Sequence, residues 1–252
     1  MSSLISMKGG KKRVEKFRSL VLMSVLVMTL SLSVVMAIIP SGGTVVGGTN
    51  ATAPADAPDT NPAFAGNVTE ITITGYTTTQ SWQGYYGNVS GTIQLADASD
   101  NVMYNWSLAD PEGEVYASTA GTIAWASIAC YDVDTDSLGL EATYNIASDD
   151  VDGLNETFAV KNHDMFYTNS VQIVADSCDS VQLYDDTGAS VDQHFEEVIL
   201  TDTTNAVFAS ILEEASVAGF DDVDHDFEML VLEDGHGTDL DTTTYYFYVE
   251  LE

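Results

Sequence analysis

From Val68 onward, apolar and polar residues alternate in short runs, the period-two pattern of half-buried strands. "VTEITITGY" (Val68–Tyr76) alternates cleanly, and "NVSGTIQLAD" follows with a less regular pattern. "NVMYNWSL" and "EVYAS" flank "ADPEGE", a proline–glycine turn. Further strand candidates are "ATYNIA", "TFAVKN", "SVQIVAD", "SVQLYDD", "FEEVILTD" and "FEMLVLED". The closing "TTTYYFYVELE" puts Tyr245, Phe247, Val249 and Leu251 on one face. Roughly ten short strands with turns about every ten residues predict a mainly β domain over 67–252. The architecture expected is an antiparallel β-sandwich of immunoglobulin-like or jelly-roll-like kind. One segment departs from the pattern. "TTNAVFASILEEASVAGF" has a cap candidate at Thr203 or Thr204, helically spaced Val207, Phe208, Ile211, Leu212 and Ala215, and Gly219 at its end, and it predicts one short helix. "GTIAWASIACYD" fits a strand or a buried helix equally.

The chain upstream of this domain is built differently. Residues 38–66 carry four of the five prolines among Gly, Thr, Ala and Asp, the composition of an extended linker. Before the linker, Leu20 to Ile39 contains no charge, and six of the chain's seven basic residues lie within the first 18 positions. A basic start, an apolar stretch and small residues at Val35 and Ala37 predict a secretory signal over 1–37, cut after Ala37. Left uncut, the same stretch is long enough to act as a membrane anchor, with its cations on the cytoplasmic side. In either case the rest of the chain is expected outside the cell, touching a membrane only through this N-terminal segment. The leader "KKRVEKFRSLVLMSVLVMTLSLSVVMA" resembles that of haloarchaeal S-layer and cell-surface glycoproteins: a basic start, an Arg-x-Leu step and a Leu/Met/Val/Ser core ending in Ala. The resemblance covers about a tenth of the chain and implies a surface glycoprotein.

Charge sharpens the picture. The whole chain has 39 acids, 7 Lys and Arg, and a net charge of −32. Beyond Ala37 the single Lys or Arg is Lys161. Such a body repels nucleic acid and anionic membrane surfaces. It is not a disordered acidic tail, because 45% of the chain is hydrophobic, enough for a core. Self-repulsion of this size calls for screening, by molar salt, where the screening length falls to about 3 Å, or by divalent cations.

Five Asn-x-Ser/Thr sequons follow the leader, at Asn50, Asn67, Asn88, Asn105 and Asn155. On an exported chain these are glycosylation candidates. The two cysteines, Cys130 and Cys178, read as one disulfide for the same reason.

Chemistry is harder to find. Asp132, Asp134 and Asp136 occupy alternate positions, as in a calcium loop, yet Ser137 and Thr143 stand where an EF-hand needs Gly and Glu. Asp221, Asp222, Asp224 and Asp226 form a second candidate cluster for a hard cation such as Ca²⁺, and both clusters also read as solvated acidic faces. His225 and His236 lie among carboxylates, a weaker pointer to zinc. The sequence has no nucleophile elbow, phosphate loop or zinc-protease helix, and no enzymatic activity is expected. Trp82, Tyr85, Tyr86 and Trp106 could line a sugar platform, although aromatics among glycines in a β protein more often pack inside. The expectation is an exported, acidic, glycosylated cell-surface protein with a structural or assembly role. It would associate with copies of itself, with other surface proteins and with divalent cations. Two alternatives stand beside it: a filament subunit whose N-terminal "IIPSGGTVVGG" adds as a strand to the next copy, and a carbohydrate-binding module or glycan hydrolase.

Overall fold

The computed structural model describes residues 39–108, 111–213, 216–237 and 240–251. The leader lies outside them. Ile38–Glu252 groups as one compact unit. The chain runs through β1 (Ser41–Gly42), β2 (Trp82–Gly87), β3 (Gly91–Ala96), β4 (Val102–Leu108) and β5 (Gly113–Ser118). A single 3-10 turn, Trp125–Ser127, leads into β6 (Ala129–Cys130) and the four-residue helices α1 (Leu140–Thr143) and α2 (Leu154–Thr157). Then come β7 (Phe166–Thr168), β8 (Val171–Ile173), β9 (Ser180–Gln182), β10 (Glu196–Thr201) and β11 (Ala206–Ile211). The chain closes with β12 (Val217–Ala218), β13 (Asp224–His225), β14 (Phe227–Leu232) and β15 (Tyr246–Leu251). The molecule is mainly β and antiparallel throughout its named strands, as the alternating pattern predicts.

A seven-stranded sheet in the order β1-β15-β5-β11-β10-β6 forms the centre, with β9 also on β10. One face carries Val115, Ala117, Ile199, Phe208 and, from β15, Phe247, Val249 and Leu251. It packs against the β2–β14 pair and against Tyr131, Leu154 and Phe158. The other face carries Tyr116, Val198, Leu200, Val207 and Ala209, covered by Trp125 and by Phe166 and Ile173 of the β7–β8 hairpin. Tyr245, Phe247, Val249 and Leu251 meet one core together, as read from the alternation, while Tyr248 serves the other.

The two-sided cover explains the main correction. In place of the helix expected from Thr203 to Gly219, the described residues form β11, hydrogen-bonded to β10 through Ala206–Ser210 and to β5 through Phe208–Ile211, and β12; Glu214 and Ala215 lie outside the described residues. A strand buried on both faces reads as a continuous apolar run, and "AVFASI" matches helical spacing by accident of that run. The mid-chain candidates also shift. "ATYNIA" supplies the end of α1 together with the buried Tyr144 and Ile146, and "TFAVKN" contributes one isolated bridge, Val160 to Ser180. "GTIAWASIACYD" divides into the 3-10 turn and β6.

Cys130 and Cys178 form a disulfide with Cα atoms 5.0 Å apart. β6 pairs with Leu200 and Thr201, and β9 pairs with Glu196 to Val198, so the two lie end to end along one edge of β10. The disulfide fastens them there, across a separation of 48 residues. Replacing both cysteines by Ala is expected to lower unfolding free energy by about 4 kcal/mol, the loop entropy of such a closure. Urea unfolding at fixed high salt measures it, and an unchanged midpoint would contradict that role.

Candidate functional site

The acidic clusters are built into turns. Tyr131 and Val133 are buried while Asp132 and Asp134 face solvent. Asp132 accepts hydrogen bonds from the Thr135 amide and hydroxyl, at 3.2 and 2.9 Å, and closes the turn. Asp136, at φ +40°, accepts the Leu140 amide at 2.8 Å and the Glu141 amide at 3.2 Å, and so satisfies the start of α1. In the second cluster Asp221 lies 2.8 Å from Nε2 of His225, and Asp222 takes the left-handed turn position at φ +62°. Asp224 pairs with Ala218 across β12–β13. Asp226 reaches away to accept the Val89 amide at 2.6 Å. Among the described residues, no group of three or more His, Cys, Asp or Glu is arranged to hold one ion. His236 lies 3.4 Å from Asp234 and 3.9 Å from Asp150.

The four aromatics separate. Trp82 packs on Phe158 at 5.8 Å and donates its indole N–H to the Asp152 carbonyl at 2.7 Å. Tyr85 packs edge-on to Phe247 at 5.2 Å. Tyr86 sits outside, against Phe220 and His225, and Trp106 lies on a different hairpin beside Tyr104 at 4.9 Å. They form no common platform. A cleft of about 140 Å³ lies beside Leu138, Tyr144 and Tyr245, and a wider, open groove of about 620 Å³ runs between Gly43, Val45 and Gly121 and the β15 residues Tyr246 and Tyr248.

Two exposed features stand out, and sequence reading resolved neither of them. The first is the arm from Gly43 to Gln80, which contains no strand. "VTEITITGY" was expected to be the first strand of the sandwich. It lies fully exposed without a ladder partner, with Val68, Ile71, Ile73 and Tyr76 all in solvent. Its Thr, Ile and Val favour extended backbone, but a strand is completed by a neighbour, and the described residues supply none. From Asn61 to Ser81 the arm carries one charge, Glu70.

The second is the β3–β4 hairpin, a two-stranded sheet on its own. Its turn is firmly made: Asp97 accepts from the Ser99 and Asn101 amides and from the Asn101 side chain at 2.8 to 2.9 Å, and Asp100 is left-handed at φ +59°. The register pairs Ile93 with Trp106 and Leu95 with Tyr104 on one face, and Thr92 with Ser107 and Gln94 with Asn105 on the other. The apolar face is left open, with Ile93, Leu95, Tyr104 and Trp106 each at least half exposed. The hairpin's charges, Asp97 and Asp100, are confined to the turn. At its root, Gly91 lets β3 approach β15, where a Cβ would come within 2.3 Å of the Leu251 side chain. The sequon residue Asn105 lies on the polar face. Asn50, Asn67, Asn88 and Asn105 are all exposed, whereas Asn155 is half-buried and its side-chain oxygen has no hydrogen-bond partner.

Beneath these features lies a set of buried acids held by main-chain amides. Glu196 accepts the Asp164 amide at 2.6 Å, Glu197 the Leu230 amide at 2.7 Å and Glu228 the Phe220 amide at 3.0 Å, while Glu213 accepts the Phe195 amide. Burial pushes all four carboxyls above the ordinary glutamate range, Glu197 furthest. In the other direction, hydrogen bonds from Asn101 hold Asp97 below the ordinary aspartate range, and those from Thr135 do so for Asp132.

Comparison of the chain with protein-family models, with curated proteins and with solved structures gave no match.

The carboxyl shifts set the pH response. The raised glutamates favour the folded state fully below the ordinary glutamate range, and this contribution is lost as pH climbs through their raised values. The depressed aspartates contribute above the ordinary aspartate range and lose it as pH falls through their lowered values. At constant molar salt the melting temperature is therefore expected to peak near about pH 4–5 and to decline toward pH 8. Glu197→Gln keeps the acceptor for Leu230 and removes the titration, so it should flatten the alkaline decline. A maximum at pH 7 to 8 in the wild type would contradict this account.

Proposed function

We propose that this chain is an exported, acidic, glycosylated cell-surface protein of a salty habitat with a structural role, a subunit of an S-layer-associated or other extracellular assembly. The observation that carries the reading is a contrast in surface character. The body is a polyanion with one Lys beyond the leader, yet it exposes an arm whose second half, from Asn61 to Gln80, carries one charge, and a hairpin whose apolar face is uncovered. Two copies of a polyanion repel each other over most of their surface. Where charge is absent and apolar groups are bare, they can approach, and exposed apolar patches of this kind mark association sites. The basic-then-apolar leader supports export, and the four exposed sequons are compatible with glycans that leave the apolar face of the hairpin free.

The alternatives draw less support. The stretch suggested as an N-terminal donor strand is engaged within its own molecule, where Ser41 and Gly42 pair with Val249 and Tyr248 at the edge of β15. The aromatics suggested for sugar binding are divided between core and surface.

The reading is tested on protein recovered from the producing cell's exterior. The N-terminal sequence should begin at Ile38, and intact mass should exceed that of the polypeptide by whole glycans. Melting temperature should rise steadily from low to molar NaCl, as screening relieves self-repulsion. Negative-stain microscopy in molar NaCl should reveal regular polymers. A salt-independent melting temperature would remove the salty habitat, and dispersed single particles at every concentration would remove the assembly role.

A further inference from the structure

Resting on the assembly role just proposed, we infer that residues Val68–Tyr76 of one copy add as a β-strand to a free edge of the β3–β4 hairpin of a second copy. The two elements are incomplete in complementary ways. The arm segment has strand composition and alternation without a sheet: Val68 is fully exposed and Ile73 is 83% exposed. The hairpin is a sheet short of strands. Two strands are marginal by themselves, and a third with a shared apolar face is the usual minimum for an independent sheet. Both outer edges of β3 and β4 offer unpaired amides and carbonyls, the template that extended segments use for strand addition.

The side chains agree in period. Ile71 and Ile73 stand on one face of the extended segment, and Glu70, Thr72 and Thr74 on the other, with Val68 and Tyr76 at the two ends of that second face. Docked on the hairpin, Ile71 and Ile73 extend the row of Ile93, Leu95, Tyr104 and Trp106, while the threonines join Thr92, Gln94, Asn105 and Ser107 on the polar face. Charge agrees as well. The segment brings one carboxylate, and the hairpin's two lie in its turn, away from the ladder.

Geometry gives the assembly a direction. The arm enters the body at Ser81, whose carbonyl accepts the Glu233 amide, at the start of β2. The hairpin leaves beyond Gly87, whose carbonyl accepts the Asp226 amide, at the end of β2. About 17 Å of strand separates donor from acceptor. A contact between different surfaces is heterologous, so it repeats from copy to copy, growing into an open filament unless the rotation between copies closes a ring.

The test uses the full exported chain in molar NaCl, with sedimentation velocity over a range of concentrations. Thr72→Pro removes a ladder amide and fixes φ in a segment that touches no core, so the melting temperature should hold while association weakens about tenfold or more. Thr60→Pro, elsewhere in the arm, should behave as wild type. The double variant Ile93→Thr/Trp106→Thr keeps strand-forming residues and removes the apolar face, and it should weaken association likewise. Mixing then separates the geometries. The Thr72→Pro chain retains its hairpin and the double variant retains its arm, so an equimolar mixture should form one-to-one dimers that grow no further. Normal polymerisation of Thr72→Pro overturns the inference while leaving the assembly role intact. Loss in the hairpin variant alone does the same and assigns the contact to hairpin against hairpin. A wild type that never associates overturns both.

Discussion

A folded body with one lysine and no arginine must hold its buried carboxylates without cations. Lys161 serves one partner, Asp179, at 3.2 Å. Several of the other acids set into the fold accept main-chain amides, although Glu197 keeps one buried oxygen, Oε1, without a partner. Glu196, Glu197 and Glu228 lie in sheet strands and Glu213 just beyond one; Glu228 accepts an amide eight residues away, and the other three accept amides from segments 18 to 33 residues distant. Glu250 does the same for Asn169, at 2.9 to 3.0 Å. A carboxyl oxygen accepts a hydrogen bond in either protonation state, and a peptide amide is available at nearly every position. The acids thus act as staples between the central sheet and the loops that cover it. Two of these donors, Phe195 at φ +46° and Asn169 at φ +55°, hold left-handed backbone. For Phe195 such a conformation costs about 1–2 kcal/mol, and the bond to Glu213 offsets part of it.

The same constraint shapes the exterior. Surplus carboxylates become turn and helix-start acceptors, as at Asp97, Asp132 and Asp136, because a short acid that accepts nearby amides fixes a loop without needing a partner side chain. This accounts for acid-rich stretches that do not converge on an ion. Asp132 and Asp136 turn to local amides and Asp226 to the remote Val89 amide, and alternate spacing along the chain does not by itself bring such acids to a common centre.

How much of this was legible beforehand follows from what each signal depends on. Strand alternation at Tyr245 to Leu251 was sufficient because one face of β15 is packed differently from the other. The Cys130–Cys178 bond was legible because two cysteines allow one pairing. The run Val207-Phe208 with Ile211-Leu212 misled because a strand covered on both sides loses its alternation, and the apolar residues that remain fit a helical stripe. "VTEITITGY" misled in the opposite way: its local preference was read correctly, but ladder formation requires a partner that a single chain need not contain. The acid staples were out of reach, since nothing local distinguishes Glu197, buried beneath β14, from an exposed glutamate in the same alternating acidic text. The core sites of Trp82 and Tyr85 fit the general rule for aromatics, whereas the exposure of Trp106 was determined by a hairpin that packs through its root alone.

Folding and association then answer to one variable. At low ionic strength the carboxylates repel across both the interior of the body and the gap between copies, and over distances of about 30 Å at 0.01 M the repulsion reaches well past any contact surface. At molar salt the range shrinks to about a bond-to-neighbour distance, while the burial of apolar groups is not screened at all and is strengthened by salts excluded from the protein surface. Charge therefore sets where contact is forbidden, and the sparsely charged end of the arm and the hairpin's apolar face set where it is permitted. A surface of this kind needs little shape specificity to avoid wrong partners in its own population, because any register that brings acidic faces together is disfavoured before detailed packing is tested. The two unfinished β elements can then remain exposed on each subunit without random aggregation, the polyanion around them acting as the guard that an edge strand otherwise requires.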